Sequence, residues 1–529
     1  MSAIRNFILG SAAGLLAVGG AQAADLPVKA KAVEYVRICS LYGAGFWYIP
    51  GTDTCIKVGG YLRVDTTFNG GVHGQPAWNG DLGQQNRYAD YFTSRSRMAL
   101  TIDTRTATEY GVVRTFGQTD LQFTTLGNGT FNPNSINGSL PVAGSQLLDT
   151  PGGGYAAVEY LFIQFAGFTF GKSSSAYSTP WNGFPGNISS NLLGGNNTDT
   201  GVNNIQYTAQ FGNGVSASIG LDDPTVWDRT IVANLSLPLS AVLGANQAYA
   251  GVHAPDVVGN IRIDQAWGLF QISAAGHEVN GSYNVLNTVG APAGAVGLPG
   301  AAPTALSEIS GHPETKWGGS VMAALNIKNI PTGPGDDIKV DASWAKGDTK
   351  NVIATSGTSP SFAMFGNSGP AYQSVGFGLT SDAVYTPVGV NGSTDGGLHL
   401  TESYGVRGAF NHNWDPYWSS SLYGSYSAVR YDDTAKASIC ANYTTAGKAV
   451  GGVIAFTCNP DFNVSQLGVN TRWTPVKNLT FTAEFQWFHL DQKFSGVATL
   501  GPSAPKPATV YEFKDQDTYM LQVRAQRNF

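Results

Sequence analysis

The sequence predicts an all-β protein, a sixteen-stranded antiparallel transmembrane β-barrel with short periplasmic turns and long extracellular loops. Three observations carry that prediction. Apolar and polar residues alternate with period two from residue 56 to the C-terminus. Short and long connections between these segments also alternate, as in an up-and-down barrel with tight turns on one rim and extended loops on the other. Charged residues are only 12%, against about 25% in ordinary soluble domains, while glycine reaches 67 of 529 residues and aromatics 11%.

Residues 1–23 read as a secretory signal peptide. Arg5 gives the positive n-region, residues 7–18 the apolar core, and Ala21-Gln22-Ala23 the small-residue cleavage site. The run is too short and too rich in Gly and Ala for an anchor, and no other stretch approaches the roughly 18 apolar residues of a spanning helix. The mature chain is expected to begin at Ala24. The formal charge of −6 excludes a globally basic nucleic-acid binder. Residues 24–55 form an expected N-terminal extension, and 56–529 the barrel.

Four cysteines allow three connectivities. Cys39 with Cys55, and Cys440 with Cys458, each close a short segment, so two local disulfides are favoured in an exported chain. Zinc is the alternative, although the spacings match no finger pattern and no His lies beside either pair.

The strands follow in order. Ile56, Val58, Leu62 and Val64 share one face, opposite Lys57, Tyr61, Arg63 and Asp65. The pattern recurs at 204–211, 215–222 and 479–487. Expected tight turns lie at 107–108, 167, 212–214, 267, 329–335, 415–416 and 475–478. Long connections lie between them, the third at 171–204. Residues 230–237 alternate well enough for a further strand, with packing inside a loop the favoured reading. A charged side chain on the lipid face costs about 2–4 kcal/mol at the midplane, so the apolar face is expected outward and the Asn, Gln, Thr, Ser and Arg face in a water-filled lumen. Trp317, Trp344, Trp414, Trp418, Trp473 and Trp487 sit near strand ends, as an interface girdle requires. The last strand, 517–529, should pair with 56–68, because a barrel has no edges.

Residues 24–65, ADLPVKAKAVEYVRICSLYGAGFWYIPGTDTCIKVGGYLRVD, together with FIQFAGFTFGKSSS at 162–175 and the terminal aromatic Phe529, closely resemble the alphaproteobacterial general porin family. The resemblance covers essentially the whole mature chain, most specifically its first segment. It implies a homotrimer of sixteen-stranded barrels in the outer membrane of a Gram-negative bacterium, passing small hydrophilic solutes and ions by passive diffusion. It implies that the third long loop folds inward as a constriction. Phe529 looks like the signal read by the barrel-insertion machinery. Outer-membrane lipid and lipopolysaccharide are the other expected partners; no cofactor, metal, nucleic acid or catalytic chemistry is expected. A substrate-specific channel, with Tyr177, Trp181 and Phe184 as an aromatic slide, and a plugged adhesin-type or structural barrel are the alternatives.

Residues 166–173, AGFTFGKS, fit a relaxed Walker A pattern, but Phe168 and Phe170 alternate as a strand does and no helix can follow Lys172. The seven histidines show no metal-ligand spacing, and no nucleophile elbow has strand-and-helix support. The constellation that remains is basic. Arg63, Arg95, Arg97, Arg105 and Arg114 fall on three adjacent strands, and Arg95, Arg97 and Arg105 share one parity opposite Met98, Leu100 and Ile102. Such a wall facing an acid would set a transverse field across the pore. The third loop offers only Asp199, alongside Lys172; Glu159, Asp103 and Asp65 on the wall could serve instead. Alternatively, individual arginines sit at the rim, paired with acids or lipopolysaccharide. The segment 160–170 is apolar on both faces, which suits a wall covered by a neighbouring subunit.

Overall fold

The computed structural model describes residues 37–80, 91–124, 155–190, 192–225, 229–236, 248–284, 311–353, 361–367, 373–388, 395–449, 452, 454–501 and 507–529. The expected signal peptide at 1–23, and residues 24–36 of the expected N-terminal extension, lie outside the described residues. Residues 37–56 form one unit. In it Trp47–Tyr48 pairs with Cys55 and Ile56, and Phe46 packs on the Cys39–Cys55 disulfide.

The larger unit is the barrel. Its strands are β1 (Cys55–Phe68), β2 (Phe92–Thr108), β3 (Gly111–Thr124), β4 (Tyr155–Phe165), β5 (Phe168–Ser173), β6 (Val202–Gly212), β7 (Val215–Asp222) and β8 (Asp256–Gln265). They continue as β9 (Gly268–Val279), β10 (Lys316–Lys328), β11 (Asp337–Lys346), β12 (Glu402–Asn413), β13 (Trp418–Arg430), β14 (Phe462–Val476), β15 (Leu479–Gln492) and β16 (Gln516–Asn528). Each pairs antiparallel with its chain neighbours, and β1 pairs with both β2 and β16, so the sheet closes. Sixteen strands and closure agree with the alternation of the sequence.

The faces sort by cost. Leu62, Val64, Met98, Ile102, Leu121, Ile163, Ile219 and Val523 point outward and exposed, whereas Asp65, Arg95, Asp120, Asp341, Arg407 and Glu484 are buried inside. This inverts a soluble protein, as lipid outside and water inside demand. Trp317 and Trp344 mark the loop-side rim, and Trp414, Trp418 and Trp473 the turn-side rim; all five are exposed.

The tight turns follow from local chemistry. Ala166-Gly167 and Asn213-Gly214 have positive φ at both positions, 48° and 86°, and 49° and 73°. Two such residues are what a type I′ hairpin turn requires. The β2–β3 turn lies at Glu109-Tyr110, two residues beyond the expected 107–108. Thr108 holds it, its hydroxyl bonding the Gly111 carbonyl and accepting from the Tyr110 amide. Residues 166–173 form a hairpin turn and strand β5, with no helix after Lys172.

The long loops build structure of their own. Val232–Asn234 is a short strand parallel to Ala383–Thr386 within the loops, not a barrel stave. A six-stranded sheet joins pieces of the first, sixth, seventh and eighth loops. Helix α1 (Asp433–Ala449) lies where an irregular loop was expected. Asp432 caps it by accepting from the Ala435 amide at 2.8 Å, and the Cys440–Cys458 disulfide ties it down. Trp78, Phe362, Ile439, Phe462 and Phe488 share one apolar core beneath this assembly.

Candidate functional site

The third long loop, 174–201, lies inside the barrel, held by hydrogen bonds to half its circumference. Asn260 on β8 donates to the Ala176 carbonyl at 2.5 Å, and Gln271 on β9 to that of Ser178 at 2.9 Å. The Trp181 indole donates to Asp341 on β11 at 3.0 Å. On β12, Arg407 pairs with Asp341 at 2.8 Å and donates to the carbonyls of Leu192, Gly195 and Asn196. Glu484 on β15 accepts the amides of Ile188 and Ser189 at 2.6 and 2.9 Å. These partners satisfy backbone groups that an irregular buried segment would otherwise leave unpaired. Gly405 lets the loop lie on the wall: a Cβ there would stand 2.8 Å from the Gly194 Cα.

From the loop side, Lys350, Asn351 and Val352 latch the same segment, with Lys350 Nζ donating to the Asn197 carbonyl at 3.1 Å and the Gly194 amide donating to Val352 at 2.8 Å. The opening left is therefore on the other side, against β16 and β1–β4. It is a cavity of about 320 Å³ lined by Tyr61, Arg63, Arg95, Arg97, Gln118, Glu159, Tyr160, Phe184, Asn187, Ile188, Ser190, Asp199 and Arg524. Phe184 and Asn187 also border a second polar cavity of about 270 Å³ lower on the opposite wall, with Lys339, His412 and Arg472.

Strand register decides how the wall charges meet. Asp65 and Arg524 are direct partners across the β1–β16 seam, and Asp65 receives Arg524 Nε at 2.5 Å and Arg95 Nε at 2.8 Å. Arg97 contacts Asp120 at 2.5 Å and Glu159 at 3.0 Å. Glu159 reaches the lumen through a β-bulge: Tyr160 opposes Gln118 and Val158 opposes Thr119, leaving Glu159 as the extra residue. His73, from the first loop, takes a hydrogen bond from Arg95 at 2.7 Å. Burial, then Arg95 and Arg97, push its pKa down to about 3, so it is neutral at physiological pH.

Arg63, Arg95, Arg97, Glu159 and Asp199 are thus brought together. Arg105 and Arg114 face inward but are not among the cavity's lining. Both pair with Asp103 at 3.0 Å toward the turn-side rim, and Arg114 also sits over Phe116. Lys172 is spent on the loop's base, bonding the carbonyls of Glu159 and Thr200. Asp199 stands on the loop with its amide donating to Asn197 at 2.9 Å. Its enclosure, which strips water from the charged form, raises its pKa despite Arg63 and Arg97. The aromatic slide is dispersed: Tyr177 packs in a small core with Val258 and Met322, Trp181 is tied to Asp341, and of the three only Phe184 lines the cavity.

Arg524 was absent from the sequence-derived set, though its signal was present. Tyr519, Leu521, Val523 and Ala525 face outward, which places Arg524 inside, and closure sets it beside β1. Among the described residues, no cluster of His, Cys, Asp and Glu is arranged to hold a metal.

A closed polar-lined barrel with a loop inside its lumen defines an outer-membrane β-barrel of the multi-pass type. Residues 25–521 match the family model described as Porin subfamily, and the chain belongs to that family. It is 33% identical over 268 residues to Porin Omp2b of Brucella abortus (strain 2308), a match covering 50% of this chain and 63% of that relative. The figures are the same for Porin Omp2b of Brucella melitensis biotype 1. The chain thus spans just under two thirds of these relatives' length. The fold is similar to that of the outer membrane channel DcaP of Acinetobacter baumannii, with a TM-score of 0.54 and 13% identity over 91% of this chain and 99% of that one. The barrel sits in the outer membrane of a Gram-negative bacterium.

Proposed function

We propose that the protein is a general porin, a water-filled channel through which small hydrophilic solutes and ions diffuse passively, with no catalytic step. The observation that carries this is the lumen loop, stapled to half of the wall so that a polar cavity of about 320 Å³ remains on the other half. Arg63, Arg95, Arg97 and Arg524 on the wall and Asp199 on the loop make the constriction, with Glu159 between. Arg105 and Arg114 act below it, where their shared Asp103 leaves a net positive charge for entering anions. Lys172 holds the loop's return rather than facing solute.

A homotrimer is the assembly this surface supports. Leu161, Ile163, Phe168 and Phe170 form an exposed apolar face on β4 and β5, and β4 carries cavity residues Glu159 and Tyr160 on its inner side. Phe529 exchanges backbone hydrogen bonds with Gly60 at 3.0 and 3.2 Å, presenting an exposed ring at the turn-side rim, as a signal for the insertion machinery would. Liposome swelling with sugars of increasing size tests the channel. A size cutoff without saturation is expected; saturation would favour a substrate-specific channel, and absence of any conductance in planar bilayers would favour a plugged barrel.

A further inference from the structure

The outer face of the barrel is uneven. On β7, β8 and β9 a groove of about 720 Å³ is cut into the lipid-facing wall. Its floor is Gly259, Ala274 and Gly276, and its sides are the exposed Ile219, Ile261 and Ile272. Gly259 and Ala274 are direct register partners, so two small residues meet beside a row where Ile261 meets Ile272. A Cβ built on Gly276 would meet nothing within 4 Å, which leaves the floor open there. Strand register carries the floor sideways, since Val257, Gly276, Gly319 and Lys346 are successive partners across β8 to β11. With only Gly319 between, the groove leads from Gly276 to the exposed Lys346.

Lys346 stands at headgroup level. It follows Trp344 by two residues on β11, and its partner Gly319 follows Trp317 by two on β10; both indoles are exposed at the loop-side rim. Among the described residues, no carboxylate forms an ion pair with its amine. Glu402, its register partner on β12, accepts from the Trp344 indole through Oε1 at 2.8 Å, leaving Oε2 as an acceptor. Glu278, on β9, is closed on the backbone amides of His253 and Ala254 at 2.9 and 3.2 Å. Arg430 on β13 is the partner of Glu402, so the row of Lys346, Glu402 and Arg430 keeps a net positive charge.

We propose that this face is a docking site for a phosphorylated glycolipid of the outer leaflet, with an acyl chain in the groove and a phosphate on Lys346. A straight chain lying over the ridges alone would leave the floor without contacts, whereas a chain seated between the isoleucines regains them. The lysine's flexible stem carries its amine to the headgroup plane while its methylenes stay on apolar surface. Glu402 beside it distinguishes the kind of head. A carboxylate there repels a bare phosphate but accepts a sugar hydroxyl, and the Trp317 and Trp344 rings offer apolar faces to a sugar. A phosphorylated sugar uses all four groups, and a phospholipid head uses only the lysine. The face excludes the β4 and β5 surface assigned to neighbouring subunits, and it requires only that the barrel sit in the membrane, whether or not its lumen conducts.

The test uses the full chain folded in non-ionic detergent and freed of native lipid. Diphosphoryl lipid A, its dephosphorylated form and phosphatidylglycerol are titrated in separately, and lipid retained on the folded barrel is read by native mass spectrometry. Diphosphoryl lipid A should be retained in preference to both others. Lys346→Gln should weaken its retention about fivefold, the worth of one basic residue at an anionic membrane surface. Gly276→Leu, which places a side chain in open groove, should weaken it roughly threefold through lost packing. Ala274→Leu fills the same groove one register row away and replaces Gly276→Leu if that variant does not fold. Equal retention by the unsubstituted chain and the variants would overturn the site, as would equal retention of phosphatidylglycerol or of the dephosphorylated lipid. A change in oligomeric state in the groove-filled variant would overturn it too, by making this face a contact between copies of the chain.

Discussion

Asp199 and Glu159 are both acids near the same arginines, yet their circumstances differ by one bond. Glu159 is closed on Arg97 at 3.0 Å, while Asp199 faces the cavity with no cation in contact. Because enclosure raises the Asp199 pKa, its charge is lost at a less acidic pH than for an ordinary aspartate, and Arg63 opposite stays charged throughout. Acidification should therefore move the reversal potential in a salt gradient toward anion selectivity. The shift should be largely absent in Asp199→Asn, which should be anion-shifted already at neutral pH. An equal pH shift in the variant would assign the titration to another group. The position of Asp199 on the third loop was legible in the sequence, since it is that loop's only acid. Inclusion of Glu159 depended on a bulge, which adds one residue to one strand and leaves no mark in the alternation of a segment already apolar on both faces.

At the scale of elements, the lumen loop is a short chain segment held by partners far away in sequence. Arg407 is fully buried, pairs with Asp341 and binds three loop carbonyls. Arg407→Met should leave Asp341 buried without its cation at a cost of about 3–5 kcal/mol and release residues 192–196 from the wall. Single-channel recordings should then show larger and noisier currents; unchanged conductance and noise would mean that the latch from Lys350 to Val352 suffices. Nothing in the residues of the loop announces this clamp, because Arg407 and Asp341 lie more than sixty residues apart and meet only through the β11–β12 register. Helix α1 is the opposite case. Its cap at Asp432 and its buried Ala435 and Ile439 follow helical spacing, a local pattern that the period-two expectation for the surrounding chain obscured.

For the whole molecule, closure is the decisive event, and it brings Asp65 to Arg524 across 459 residues of chain. Asp65→Asn should leave two buried guanidinium groups facing one another at the seam, lowering stability by about 3–5 kcal/mol. Asp103→Asn, whose arginines are partly exposed, should cost roughly 1 kcal/mol or less. Denaturant or thermal unfolding followed by the mobility difference between folded and unfolded barrel compares the two; equal losses would contradict the assignment of the seam as a buried ion cluster. The sequence by itself determined the barrel: which residues face lipid, how many staves there are, and which rim carries the loops. Those are consequences of short-range periodicity and of the cost of charge in lipid, and both act residue by residue along the chain. Only the tertiary structure decided which arginines line the cavity. That depends on strand register, one bulge and the path of a loop through the lumen, and each sets a distance between residues that no spacing along the chain encodes.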